Sequence, residues 1–410
     1  MATDWAALRS QYPITDRCVY LNTGWAGPSS REVVRVMQER AEREAFEGPT
    51  SPHVRYEKAV LVERIKSAIA RLIGADDDEL ALIYTTTEGM NTIVRGLRLG
   101  ASDEVLVSNL EHNAVMVPAY MAREREGIGV AIARLRMNED EQGIIDAFDA
   151  AITDRTRLVM LSHVSWNRGT RLPLREICDL AHARGALVAV DGAQSAGHIA
   201  FDVNELGCDF LALPAHKWLL GPAGAAFLYV RRDHIERLDP LAVVHGANRR
   251  YDFEGHFEYA SDTIRKFELT THSGPVLAGL EVALWELQAI GIDEVERRCR
   301  ALGSRFTDAV AGITGVRVTS HTDAPLRTGI VTFEIADHDP SRVCAALWSL
   351  DRIVARVCND RRVRVCFHVF NDESDVERTL AAVRNIAEHG LPGGTPSAEE
   401  YKSRLLEAVD

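Results

Sequence analysis

The sequence predicts an α/β protein: a large domain built on a mainly parallel seven-stranded sheet, followed by a smaller C-terminal α+β domain. Three observations carry that reading. Between about residues 80 and 235, short β-branched runs alternate with amphipathic stretches, the pattern of parallel strands joined by crossover helices. The chain has 410 residues, more than one ordinary hydrophobic core holds. Its 46% hydrophobic and 26% charged residues lie in the globular range, far from disordered or membrane compositions.

Taken in order, the strands are ALIYT (81–85), EVLVSN (104–109), VAIARL (130–135), RLVMLSH (157–163), ALVAVD (186–191), FLALP (210–214) and AAFLYV (225–230). Between the fourth and fifth, LPLREICDLAHARG reads as a helix with Leu174, Ile177, Cys178 and Ala181 on one face and Gly185 just past its end. Beyond residue 280 come a long apolar helix, a charged helix (DEVERRCRALGSRFTDAVAG), and then strands and helices closing near residue 389. LPGGTPS (391–397) is a turn-rich linker and AEEYKSRLLEAV a short surface helix. The division is therefore an N-terminal arm (1–18), a large domain (19–280), a small domain (281–390), and a linker with its helix (391–410).

Composition also excludes classes of function. No run of about 18 apolar residues occurs, and the start lacks a basic segment leading into an apolar stretch, so neither export nor a membrane anchor is expected. The seven cysteines are scattered and lack C-x-x-C pairs; they read as reduced thiols of a cytoplasmic protein, with no metal site expected. A formal net charge of -13 without a basic block argues against nucleic acid.

Four segments place chemistry at one sheet edge. Asp191 ends the strand of LVAVDGAQSAGH, and Lys217 follows a strand in LALPAHKWLLGPAG, where the carboxyl ends of α/β strands face a ligand crevice. In IYTTTEGMNTIVRGL a strand enters a helix through Thr85, Thr86 and Thr87, a ready phosphate site of hydroxyls and free N–H groups. SNLEHNAV puts His112 after another strand. Each feature alone is commonplace, since strand-end aspartates are mostly caps and lone lysines mostly solvated. Together they supply a Schiff-base amine, an acid for a pyridine nitrogen and donors for a phosphate, the set that pyridoxal phosphate (PLP) requires.

On these segments the sequence resembles class V of the fold-type I PLP-dependent enzymes, a group with cysteine desulfurases, isopenicillin N epimerases, cysteine C–S lyases and some aminotransferases. The resemblance runs from YLNTGWAGP near residue 20 to RVCFHVFNDESDVERTL near 380. It implies that Lys217 in AHKW carries the cofactor, that Asp191 in VDGAQS pairs with its pyridine nitrogen, and that Gln194 meets its phenolic oxygen. It further implies that His112 in EHNA stacks on the ring, and that Thr86, Thr87 and His216 bind the phosphate. Thr271 in FELTTHS would reach the phosphate across a homodimer interface, making the active site shared. Arg364 in VRVCFHVFN would clamp the substrate carboxylate, with Asn22, Trp25 and Trp166 beside the substrate. Lys217, His112 and Asp191 form the catalytic set.

Departures from the family pattern are informative. Pro214, Ala215, His216 and Lys217 stand where Ser-x-His-Lys is common, Trp166 followed by Asn167 replaces an asparagine, and F-E-x-G-T has become F-E-L-T-T. Desulfurases carry a nucleophilic cysteine in a mobile loop upstream of the carboxylate-binding arginine. Here the stretch containing ARVCNDR is all that lies between Val354 and Val363, and Cys358 and Cys366 read as packed or turn residues. The expected activity, acting on an amino acid through an external aldimine with Lys217 as base and His112 as second proton-transfer group, is β-elimination from an S-substituted cysteine in a biosynthetic pathway. Transamination, epimerisation and decarboxylation are the alternatives, and a non-catalytic PLP-fold protein is the reading from another class. Trp25, Trp166 and Trp218 suggest a roomy aromatic pocket.

Overall fold

The computed structural model describes residues 3–359 and 361–407. After a short helix at Trp5–Ser10, two long helices lead into the sheet. α1 (Arg31–Glu47) starts where Ser30 accepts from Val33 N at 3.2 Å, and α2 (Pro52–Ile73) begins on a proline and ends on Gly74 in the left-handed region. The strands follow as β1 (Leu80–Ile83), β2 (Glu104–Ser108), β3 (Gly129–Ala133), β4 (Thr156–Ser162), β5 (Leu187–Asp191), β6 (Phe210–Pro214) and β7 (Ala226–Val230). They form one sheet in the order β1-β7-β6-β5-β4-β2-β3. Pairing is parallel from β6 to β3, and only β7 runs against its neighbours. The first strand stops at Ile83 rather than Thr85, because Thr85 caps the next helix, α3 (Thr86–Gly96), by accepting from Glu88 N.

The strands are apolar throughout because both faces are covered. Leu106, Val159 and Leu161 point into one core, while Val105, Val107, Leu158 and Met160 point into the other, following the two-residue repeat of a strand. α4 (Asn113–Glu126) covers the second face through Val115, Ala119 and Ala122.

α5 (Gly274–Ile290) packs against α1 and α2, close enough that a Cβ on Gly279 would lie 2.6 Å from Met37 Cγ. Its Leu277, Leu280, Leu284 and Leu287 all belong to the large core, so residues 281–290, which the sequence assigns to the small domain, continue a helix of the large one. The chain then turns by 80° into α6 (Ile292–Val310). Val295 and Cys299 face the large core and Leu302, Phe306 and Val310 the small one, so the change of core falls inside α6.

The small sheet is antiparallel: β8 (Val316–Val318), β9 (Ile330–Ile335), β10 (Arg356–Cys358) and β11 (Arg362–Cys366), in the order β8-β9-β11-β10. α7 (Pro340–Asp351) and α8 (Glu373–His389) contribute to its core. So do Val19 and Leu21. The short strand Val19–Tyr20 pairs in parallel with Ile353–Val354, which ties this stretch to the small domain, while Tyr12 before it lies in the large core. The helix expected in AEEYKSRLLEAV spans Ala398–Glu407; its Ala408 and Val409 lie outside the described residues. All seven cysteines are free and buried. A hairpin, Asn248–Tyr251 with Phe257–Tyr259, stands off the body with Phe253 fully exposed. At its turn, Asp252 accepts from Glu254 N, His256 N and His256 Nδ1.

Candidate active site

The carboxyl ends of β1, β2, β5 and β6 meet β10 and β11 around a cavity of about 260 Å3. Asp191, the last residue of β5, is buried there, its Oδ1 accepting from Ala193 N at 2.9 Å. Burial pushes this carboxyl up, while Lys217 and the Ala193 N–H pull it back. Lys217 opens into the same cavity from the segment after β6. Lost hydration brings its ammonium down to about 8 against the opposing pull of Asp191. The lysine segment is held by close backbone approach: Gly27 N donates to His216 O at 2.7 Å, and a Cβ on Gly27 would stand 2.2 Å from Lys217 O. Trp218, next in sequence, donates from Nε1 to Gln194 Oε1 at 2.8 Å, and Gln194 Nε2 donates to Gly24 O at 2.8 Å.

At the N-terminus of α3, Thr85 caps Glu88 N, and the N–H groups of Thr86 and Thr87 have no intrahelical acceptor by helix geometry. Thr86 Oγ1 is buried without a partner. Thr85, Thr86, Thr87 and His216 all line the cavity. His112 caps α4, its Nδ1 accepting from Ala114 N at 3.2 Å, which leaves Nε2–H as the donor of the neutral ring. Burial first, then Lys217, Arg356 and Arg364, hold this imidazole down to about 4. Trp166 meets it edge-on at 5.3 Å.

Arg364, on β11, is buried; its Nη1 donates to Trp166 O at 3.0 Å and its Nη2 to Asn22 Oδ1 at 3.4 Å, while its Nε has no partner. Asn22 therefore sits behind Arg364 rather than on the cavity wall, and Trp25, half exposed, stands at the mouth. Thr271 does not line the cavity of its own chain. It is exposed, at φ +77°, a strained conformation for a β-branched residue, in a segment tied to the edge strand through Glu268 and Leu82 N at 3.3 Å.

Two lining or neighbouring residues escape the motif reading. Arg356, on β10, has its guanidinium 4.0 Å over the Trp25 ring. Two alternating runs joined by a short turn, ARVC and RRVRVC, are the signal that could have found it, since such a hairpin sets Arg356 opposite Arg364. Glu111 is buried beneath the cavity, with its Oε2 accepting from Ser162 N at 2.8 Å and Ser162 Oγ at 2.6 Å, and its Oε1 from Ser108 Oγ. Burial pushes it up to about 7.

These residues fit PLP. The unpartnered Thr86 hydroxyl and the open N-terminus of α3 suit a phosphate, and the buried carboxylate opposite a depressed lysine suits a pyridine nitrogen and a Schiff base. Fold and site together define a PLP-dependent enzyme of fold type I.

The chain belongs to the aminotransferase class-V family, whose model matches residues 19–379. It is 32% identical to a probable cysteine desulfurase of Methanothermobacter thermautotrophicus, over 83% of this chain and 84% of the relative. It is 30% identical to the isopenicillin N epimerase of Streptomyces clavuligerus, over 93% and 98%. Among solved structures it resembles C-DES at 26% identity over 92% of this chain and 99% of that one. One is a mutant with glycine covalently linked to the PLP cofactor (TM-score 0.84), the other a complex of that cystine C–S lyase with its product cysteine persulfide (TM-score 0.85).

Proposed function

We propose that this class-V PLP-dependent enzyme cleaves the C–S bond of an S-substituted cysteine by β-elimination. The observation that carries the reading is the condition of the thiols beside the cavity. Cys358 and Cys366 lie on the paired strands β10 and β11, and Cys358 pairs directly with Arg362, so no loop carries either. Burial pushes Cys358 up to about 11 and Cys366 above its ordinary value, which denies both the thiolate that a persulfide carrier uses.

When held on Lys217, PLP supplies an electron sink for the pair left behind as the Cα–H bond breaks. Asp191 would hold the pyridine nitrogen, Gln194 the phenolic oxygen, and Thr86, Thr87 and His216 the phosphate. Arg364 grips the substrate's α-carboxylate, its fork fixed by Trp166 O and Asn22. The Lys217 amine would take the Cα proton, and an amine near 8 is well matched to that task at neutral pH. His112, with Trp166 edge-on to it, would give its Nε2 proton to the departing sulfur, and the three-carbon remainder would take up water to yield pyruvate and ammonia.

A shared site in a homodimer is part of this proposal. Thr271 is exposed and so available to a neighbouring copy, and the hairpin leaves Tyr251, Phe253 and Phe257 bare. A second reading, epimerisation, is favoured by the near-complete coverage of the epimerase relative and by Lys217 and His112 lining one cavity.

The test is to mix PLP-loaded protein with S-substituted cysteines and common amino acids while following cofactor absorption, thiol and pyruvate. Equal thiol and pyruvate, abolished by Lys217→Ala, is the expected result. Conversion of the cofactor to its amine form without thiol, or inversion at Cα without either product, would overturn it.

A further inference from the structure

Arg356 and Arg364 are direct cross-strand partners in the β10–β11 register, so two guanidinium groups rise side by side from one face of the small sheet. Like charges placed directly opposite destabilise a strand pair. Among the described residues that line the cavity the only carboxylate is Asp191, which already answers Lys217. Among the described residues neither arginine has a carboxylate partner, and the Arg364 Nε is buried with no acceptor at all. Arg364 is fixed by Trp166 O and Asn22. Arg356 makes no hydrogen bond or ion pair among the described residues and instead stands over the Trp25 ring at the mouth. A solvated surface arginine would be free to swing into water; this one is partly buried, aromatic-backed and turned into the site.

One α-carboxylate satisfies one of these two forks. We propose that Arg356 binds a second anionic group, a carboxylate at the far end of the sulfur substituent, so that the favoured substrates are cysteine S-conjugates carrying a terminal acid. Trp25 then serves as both platform for the arginine and wall for the linking methylenes. This assignment rests on the C–S lyase reading, and the distance from mouth to lysine sets the length of the substituent.

The test compares S-(2-carboxyethyl)cysteine with its neutral isostere S-(2-carbamoylethyl)cysteine on the PLP-loaded enzyme, by thiol release and by spectral titration of binding. The wild type should favour the acid by about tenfold or more in kcat/KM, as one charge-assisted contact allows. Arg356→Gln should bring the ratio to within about twofold of unity through KM, Arg356→Lys should restore part of it, and Arg364→Gln should weaken both substrates while leaving the ratio. Thiol release with no acid preference, or a preference that survives Arg356→Gln, would overturn the anion site and leave the lyase reading intact. Absence of thiol from both, with neither perturbing the spectrum, would overturn both readings.

Discussion

His198 lies flat on Trp218, ring centroids 3.5 Å apart and planes within 2° of parallel. The imidazole is fixed at both nitrogens, with Nδ1 meeting Gln194 O at 2.8 Å and Nε2 accepting from Gly329 N at 2.9 Å. On the same indole, His368 stacks at 5.3 Å and its Nε2 meets Trp218 O at 2.9 Å. The residue after the cofactor lysine is thus clamped between histidines of the large and small domains, and Lys217 inherits that rigidity.

Trp218→Phe keeps a ring in the stack but strands Gln194 Oε1, a buried acceptor. We expect a loss of about 2 kcal/mol in stability, from the orphaned oxygen and the space left by the smaller ring, read by urea denaturation. A parallel fall in PLP affinity is expected by equilibrium dialysis, because Gln194 lines the cofactor cavity.

Lys217 should titrate far below a surface lysine. In the folded apoprotein it is neutral above about 8, whereas its ordinary value is 10.5. The unfolded chain therefore binds the extra proton between those values, and stability rises with pH across that window. Modification of Lys217 by an amine-reactive reagent, followed by peptide mass spectrometry, should show a midpoint near 8 that falls further in Asp191→Asn. A midpoint near 10.5 would contradict the burial argument.

Glu111 behaves with the opposite sign. Its folded value, about 7, lies above the ordinary 4.5, so its stabilising contribution is complete below about 4.5 and is lost as pH rises through 7. Glu111→Gln should therefore gain stability relative to the wild type between pH 5 and 8, on the order of 2 kcal/mol. Thermal midpoints measured across that range decide it.

Cys358→Ala should leave thiol release within about twofold, since a side-chain thiol held above its ordinary value contributes no nucleophile. A loss of a hundredfold or more would reinstate persulfide chemistry. The kinetic assay of the proposed function reads this directly.

The large sheet was legible because buried parallel strands are written as short continuous apolar runs, and each of the seven appears within one or two residues of its expected span. Lys217, Asp191, His112 and the threonine turn were legible for a related reason: each follows a strand, so topology alone brings them to one edge. What escaped depends on contacts that no local pattern contains. Val19–Tyr20 joins a strand from the far end of the chain, α5 crosses the expected boundary because α1 and α2 offer it a partner, and Glu111 is defined by serines on two different strands. Arg356 was hidden among neighbouring arginines until the hairpin register singled it out.

The pairing of Val19–Tyr20 with Ile353–Val354 also orders events during synthesis. The cofactor floor, from β1 to β7, is contiguous in the chain and can condense as it emerges, since domains fold as units and local contacts form first. The arginine wall needs strands from both ends, with a large loop-closure cost, and cannot be completed until the last third has been made. The newborn chain therefore gains its means of doing chemistry before its means of choosing what to act on.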